Sequence, residues 1–272
     1  MNPIIRLFRP LNAVMAIIGT VISSLVAIGY SIQFSLETVG IASLVVFLVL
    51  TGGNIMNDVL DSETDKVNHP ERPIPMGVVS KEMATGIYVV SYAMAVILAF
   101  LFLPLYGTVI AIAAILLLVY YETKGKYAGL PGNITVSALI GLIFLYGGVI
   151  FNDPQKTILL FFLAMFSNAS RELIKDVQDY EGDVDRKTFP RIHGKKAALN
   201  LSTIFIVATL AFSVLPYTEK IFGIYYLLAV AVCDVFFVFT IVTQYKSAKK
   251  GQQFSKLSMI LGLISFTIGG LS

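Results

Sequence analysis

The stretch Asn54-Ile55-Met56-Asn57-Asp58-Val59-Leu60-Asp61-Ser62-Glu63-Thr64-Asp65 closes an apolar run that begins near residue 38. In a helix turning about 100° per residue, Asn54, Asp58, Asp61 and Asp65 fall within an arc of roughly 60°. Their side chains therefore make one acidic stripe. The pattern returns downstream, where Glu172, Asp176, Asp179 and Asp183 repeat the offsets of four, three and four at the end of a second apolar run. Of the 17 Asp and Glu, 11 lie in the windows 58–71 and 172–185. Negative charge is thus gathered at two helix ends rather than spread over a solvated surface.

The surroundings of these stripes are apolar. With 56% hydrophobic and 14% charged residues, and a strongly positive mean hydropathy, the chain lies outside the range of soluble globular domains. A net charge of +3 is too small to point to nucleic acid, and no protein partner is implied. The single cysteine, Cys233, excludes an intrachain disulfide. A span needs about 20 apolar residues, and nine segments meet the rule, at roughly 11–33, 38–60, 82–103, 106–121, 133–151, 156–175, 196–215, 219–243 and 254–271. The first is too long for the core of a signal peptide and reads as a retained helix. Alternating the loops by side puts 18 of the 20 Lys and Arg on the face of the amino terminus and leaves Lys156 and Lys220 for the other. The positive-inside bias then makes that face cytoplasmic. The expectation is an all-α membrane protein in one domain over 1–272: a nine-transmembrane-helix bundle, amino terminus and active site cytoplasmic, carboxyl terminus outside.

Carboxylates three and four apart where a helix meets water suit Mg²⁺, which takes oxygen ligands, keeps several waters and shares itself with substrate phosphates. Two such stripes facing each other would hold two or more Mg²⁺ ions against a diphosphate. Asn54 and Asn57, candidates for substrate binding, could complete the shell or only bond to neighbouring helices. A diphosphate also needs cations. Arg72 stands in Asn68-His69-Pro70-Glu71-Arg72-Pro73-Ile74-Pro75-Met76-Gly77, where prolines and a glycine restrict the backbone and so aim the side chain. Lys124 follows Tyr120 by one helical turn at the end of the fourth span. A guanidinium grips phosphate oxygens in pairs, and lysine acts as a point charge.

These motifs resemble the UbiA superfamily of intramembrane prenyltransferases. The first stripe reads NDxxDxxxD at Asn57, Asp58, Asp61 and Asp65; Tyr120 and Lys124 read YxxxK; Asp179 and Asp183 read DxxxD. The resemblance implies transfer of a prenyl group from its diphosphate to an acceptor. It also implies Mg²⁺ held by Asp58, Asp61, Asp65, Asp176, Asp179 and Asp183, with Asp58, Asp61, Lys124, Asp179 and Asp183 catalytic. Within the superfamily, residues 57–77 and 170–183 are most similar to an archaeal branch that prenylates a phosphorylated glyceryl lipid, the donor being geranylgeranyl diphosphate. A phosphorylated acceptor calls for a second cationic site, for which Arg6, Arg9, Arg171, Lys175 and Lys187 are candidates; Asn54, Asn57, Arg72, Tyr120 and Lys124 are the other candidate substrate-binding residues. An aromatic acceptor in quinone or tetrapyrrole synthesis is the alternative. The base for the acceptor hydroxyl stays open among Glu172, Asp176 and the released diphosphate. Phe47, Phe144, Tyr146 and Phe162 are candidate walls for the prenyl tail.

Two further readings belong to the residues alone. The acidic stripes could bind translocated cations, but transporter sites usually lie near the bilayer midplane, and these cluster at one face. Asp234, inside the eighth span, is an acid at membrane depth and so a functional candidate by default. A bond to Asn200 or Ser202 is the structural alternative.

Overall fold

Backbone polar groups in lipid must be satisfied within the chain, so apolar spans of this length become helices. The computed structural model describes residues 3–182 and 187–271, and the described residues form helices and turns with no strand. Nine long helices follow in order: α1 Pro10–Ile28, α2 Leu36–Leu60, α3 Lys81–Phe102, α4 Leu105–Thr123, α5 Leu130–Val149, α6 Ile158–Gln178, α7 Lys195–Ser213, α8 Ile224–Gln244 and α9 Ala248–Gly270. The first eight belong to segments long and apolar enough to cross a membrane. The expected ninth span forms a helix of 23 residues, but it falls short of the same threshold of hydropathy and charge. Lys249, Lys250, Gln252, Gln253 and Lys256 in its first turns are the reason.

Sequential helices pack as neighbours, α9 closes back on α1 and α6, and α1 also lies against α5. One core joins Ile22 and Val26 of α1 to Phe144, Leu160, Ile206, Tyr226 and Phe266. A second joins α2, α3, α4 and α5 through Val45, Ala95, Ala111 and Tyr146. On the outer faces of α3 and α4, Val90, Phe100, Leu101, Leu105, Val109 and Leu116 are exposed, as lipid contact requires.

A third cluster sits at the end of the bundle that carries the first stripe. Leu7 of the short helix Pro3–Leu7, Ile55 of α2, Ile74 and Val79 of the loop, and Ala84 of α3 are buried together. This packing pins the Pro-rich loop 69–79 at its middle, two residues beyond Arg72, and at its far end. It also fixes the entry to α1, where Arg9 is left-handed (φ 43°). A non-glycine residue adopts that conformation at a cost of about 1–2 kcal/mol, so its contacts must hold it there.

The connection from α4 to α5 is the tightest at this end. Gly129 is left-handed (φ 70°), and a Cβ there would stand 2.9 Å from the Lys187 carbonyl oxygen. A Cβ on Gly132 would collide with the Gly125 carbonyl. The turn can fold onto α5, and the segment after the second stripe can lie on the turn, because neither position has a side chain. Gly132→Ala should lower the thermal midpoint in detergent by several degrees, since overpacking costs about 1–3 kcal/mol. Gly86→Ala in α3, where a Cβ meets nothing within 4 Å, should leave the midpoint unchanged or raise it.

Candidate active site

The last turns of α2 place Asn54, Asn57 and Asp58, and Asp61 caps the helix. The chain then continues into Ser62–Asn68 with little change of direction, since the Asp61 amide donates to the Asn57 carbonyl and the Asp65 amide to the Asp61 carbonyl. The stripe survives the junction. The Asp58 side chain is only 3% exposed and that of Asp65 5%. An unpaired carboxylate at such burial would cost several kcal/mol, and each has cations. Asp58 Oδ1 accepts from Arg9 Nη2 at 2.5 Å and Arg72 Nη1 at 3.3 Å. Arg72 Nη1 also donates to Asp65 Oδ2 at 2.6 Å.

Asn57 joins this group to a second one. Its Oδ1 accepts from Arg9 Nη2 at 2.8 Å, and its Nδ2 donates to Asp61 Oδ2 at 2.9 Å and Glu122 Oε2 at 2.8 Å. Lys126 Nζ lies 2.5 Å from Asp61 Oδ1 and 3.3 Å from Glu122 Oε2, with its side chain 5% exposed. Burial alone would lower the Lys126 pKa, but the bond to Asp61 and the charges of Glu122 and Asp61 outweigh it and raise it. The ammonium is therefore kept charged. Four carboxylates and three cations thus form one connected network. Beside it the buried Asn54 Nδ2 has no hydrogen-bond partner.

The second stripe has its own partners among the described residues. Asn133 Nδ2, in the first turn of α5, donates to Asp176 Oδ2 at 2.8 Å. Arg171 donates through Nε and Nη2 to Asn168 Oδ1, both at 3.2 Å, and it pairs with Glu172. Asn168 is buried and donates to Ser137 Oγ at 3.1 Å. Asp179 caps α6 and is half-buried, and Lys175 is exposed. Asp183 lies outside the described residues. One short segment ties the stripes to the same end of the bundle: Glu122 and Lys126 reach the first, and Asn133 reaches the second.

Among the described residues Lys124 and Tyr120 do not join this network. Tyr120 is 39% exposed, and Lys124, which caps α4, is exposed as well. The two lie one turn apart on a side of the helix about 160° from Glu122, and Glu122 is the residue that faces Asn57. Lys126 occupies the place expected for Lys124, because the turn Gly125–Tyr127 folds it inward. Glu122, Lys126 and Asn133 were not singled out from sequence. The available signal was an acid inside an apolar span followed four residues later by a lysine. Asp234 accepts from Ser213 Oγ at 2.8 Å rather than pairing with Asn200 or Ser202. The contacts Ser202–Gln244 and Asn200–Tyr245 set the register of α7 against α8, and this leaves Ser213 opposite Asp234.

Beneath the network lies a wholly apolar cavity of about 90 Å³ between α2, α4 and α5. Val49, Leu50, Leu118, Ile143 and Tyr146 line it. Of the aromatic residues expected there only Tyr146 does so: Phe144 packs on Phe266, Phe162 on Phe161, Phe166 and Phe212, and Phe47 is half-buried elsewhere. Leu50 and Leu118 lie one turn from Asn54 and Glu122, so the lining of the cavity begins one turn below the charged groups.

The model of the UbiA prenyltransferase family matches residues 16–263. The chain belongs to that family. A digeranylgeranylglyceryl phosphate synthase of Methanosphaera stadtmanae is 35% identical over 279 residues, covering 100% of both chains. A solved digeranylgeranylglyceryl phosphate synthase superposes with a TM-score of 0.89 at 32% identity, over 100% of this UbiA chain and 99% of the other. A UbiA homologue from Archaeoglobus fulgidus, solved with GPP and Mg²⁺, has a TM-score of 0.69 at 13% identity, over 98% and 100% of the two chains. The chain is accordingly an all-helical, multi-pass membrane prenyltransferase.

The donor atoms at the site fit a hard divalent cation: aspartate carboxylates and Asn carboxamides, with no thiol or imidazole among them. Among the described residues no three His, Cys, Asp or Glu side chains already converge on one point. In the first stripe the carboxylates are turned to Arg9, Arg72 and Lys126 instead. Lys126→Ala should lower kcat/KM for prenyl transfer by at least about 100-fold, the scale of removing one electrostatic contact to a developing charge. Lys124→Ala should change it by less than about fivefold, the ceiling for an exposed charge.

Proposed function

We propose that the chain transfers a geranylgeranyl group from geranylgeranyl diphosphate to the free hydroxyl of geranylgeranylglyceryl phosphate, making an ether-linked lipid precursor. The observation that carries this reading is the meeting of a charged network with an apolar cavity at one helix turn's distance. A molecule with an anionic head and a long hydrocarbon tail fits across that boundary. The similarity along the full chain to digeranylgeranylglyceryl phosphate synthases supports this donor and this acceptor.

Arg9, Arg72 and Lys126 bind the diphosphate oxygens, and the Asn54 carboxamide, left unpaired in the protein alone, donates to another. Mg²⁺ held by Asp58, Asp61 and Asp65 on one side and Asp176, Asp179 and Asp183 on the other would neutralise the leaving group. The cations of the chain stabilise the charge that develops as the allylic C–O bond breaks and its electron pair stays with the diphosphate. Tyr146 and the aliphatic walls of the cavity hold the first isoprene units and exclude water from the cationic carbon. The acceptor oxygen then forms the new C–O bond. Its proton leaves to Glu172, Asp176 or the released diphosphate. Arg171, which donates through two nitrogens to Asn168, binds the acceptor phosphate. The excess of Lys and Arg on this side supports a cytoplasmic site and amino terminus, with α9 as a ninth crossing.

The test is a product assay on reconstituted protein with geranylgeranyl diphosphate and Mg²⁺, offering geranylgeranylglyceryl phosphate and 4-hydroxybenzoate in parallel. Doubly prenylated glyceryl phosphate, lost on chelation and restored by Mg²⁺, is the expected result. Asp58→Asn should reduce it at least about 100-fold with the helical circular dichroism unchanged. Prenylated benzoate alone would overturn the lipid acceptor.

A further inference from the structure

Asp61 is the first-stripe carboxylate with both oxygens engaged. Its Oδ1 holds Lys126 at 2.5 Å and its Oδ2 holds Asn57 at 2.9 Å, so a divalent cation competes with Lys126 for it. The ammonium has somewhere to stay. Glu122 Oε2, 3.3 Å away and inside α4 rather than in the stripe, is a second anion for the same group. Resting on the prenyl-transfer reading above, we infer that Lys126 is an exchangeable counter-ion of Asp61. Glu122 is the positioning residue that retains Lys126 in the site when Asp61 is given up to metal.

The charges argue for exchange rather than simple addition. Among the described residues the resting network has four carboxylates against three cations, so a diphosphate arriving alone meets an excess of negative charge there. A metal arriving alone must displace a buried ammonium with no new partner beyond Glu122, and separating buried charges costs several kcal/mol. When both ligands arrive, Asp61 trades Lys126 for the metal and Lys126 trades Asp61 for a phosphate oxygen. Every charge then keeps an opposite neighbour. Metal and diphosphate therefore bind as a coupled pair, and by linkage each strengthens the other equally.

Mn²⁺ binding followed by electron paramagnetic resonance, on the full chain in nanodiscs with inorganic pyrophosphate as the second ligand, tests this without turnover. Wild-type protein should bind Mn²⁺ weakly alone and at least about tenfold more tightly with pyrophosphate, within the usual range of coupling. Lys126→Gln removes the competitor, so it should bind Mn²⁺ alone about tenfold more tightly than wild type and gain little from pyrophosphate. Lys126→Arg keeps the charge and should bind Mn²⁺ alone as weakly as wild type. Glu122→Gln should lose most of the gain from pyrophosphate, and Glu122→Asp should recover it. Equal Mn²⁺ affinity in wild type and Lys126→Gln without pyrophosphate would overturn the inference. So would a wild-type affinity that pyrophosphate does not change, and that measurement decides even if Lys126→Gln does not fold. Failure of Mn²⁺ to bind under any condition would instead overturn the prenyl-transfer reading on which this rests.

Discussion

Burying carboxylates where a helix leaves the membrane is the constraint from which the rest of this site follows. Asp58 and Asp65 are nearly sealed from solvent, and neither could remain charged there without cations at contact distance. Arg9 comes from the start of α1, Arg72 from a loop 14 residues beyond Asp58, and Lys126 from the turn after α4. Asn57 links the first of these to the third, because its Oδ1 accepts from Arg9 and its Nδ2 donates to Asp61 and Glu122, the partners of Lys126. The left-handed backbone at Arg9 and the apolar anchoring of the 69–79 loop by Ile74 and Val79 are consequences of delivering those cations.

The two acidic helix ends are alike in spacing and unlike in environment. The first is saturated with the chain's own cations. The second shows Asn133 on Asp176, and an arginine already engaged by Asn168 and Glu172. The shared turn from α4 to α5 holds them in one site, and that turn depends on two positions with no side chain, Gly129 and Gly132. The apolar cavity one turn below makes the same site suitable for a molecule that is part lipid.

Spans, their order and the two acidic stripes were legible in the chain because each depends on residues close in sequence. Apolar length sets a span, and 3.6-residue periodicity sets which side chains share a face. The boundaries agree with the helices to within a few residues for most spans. Only α9 departs in kind, its lysines and glutamines leaving it short of the others in hydropathy. The lysine that contacts Asp61 is Lys126, two residues beyond the expected Lys124. Periodicity makes Tyr120 and Lys124 equivalent to any other pair one turn apart, and it carries no information on which face meets α2.

What the sequence by itself determined is the class of molecule and its chemistry: an apolar helical bundle with carboxylates at two helix ends, suited to a divalent cation and a diphosphate. Tertiary structure alone decided the partners, namely that Lys126 rather than Lys124 reaches Asp61, that Glu122 enters the network, and that Asp234 bonds to Ser213. The reason is physical. Helix rotation, the reversal at Gly125–Tyr127 and the register of α7 against α8 arise from packing between segments far apart in the chain, and no local pattern encodes them.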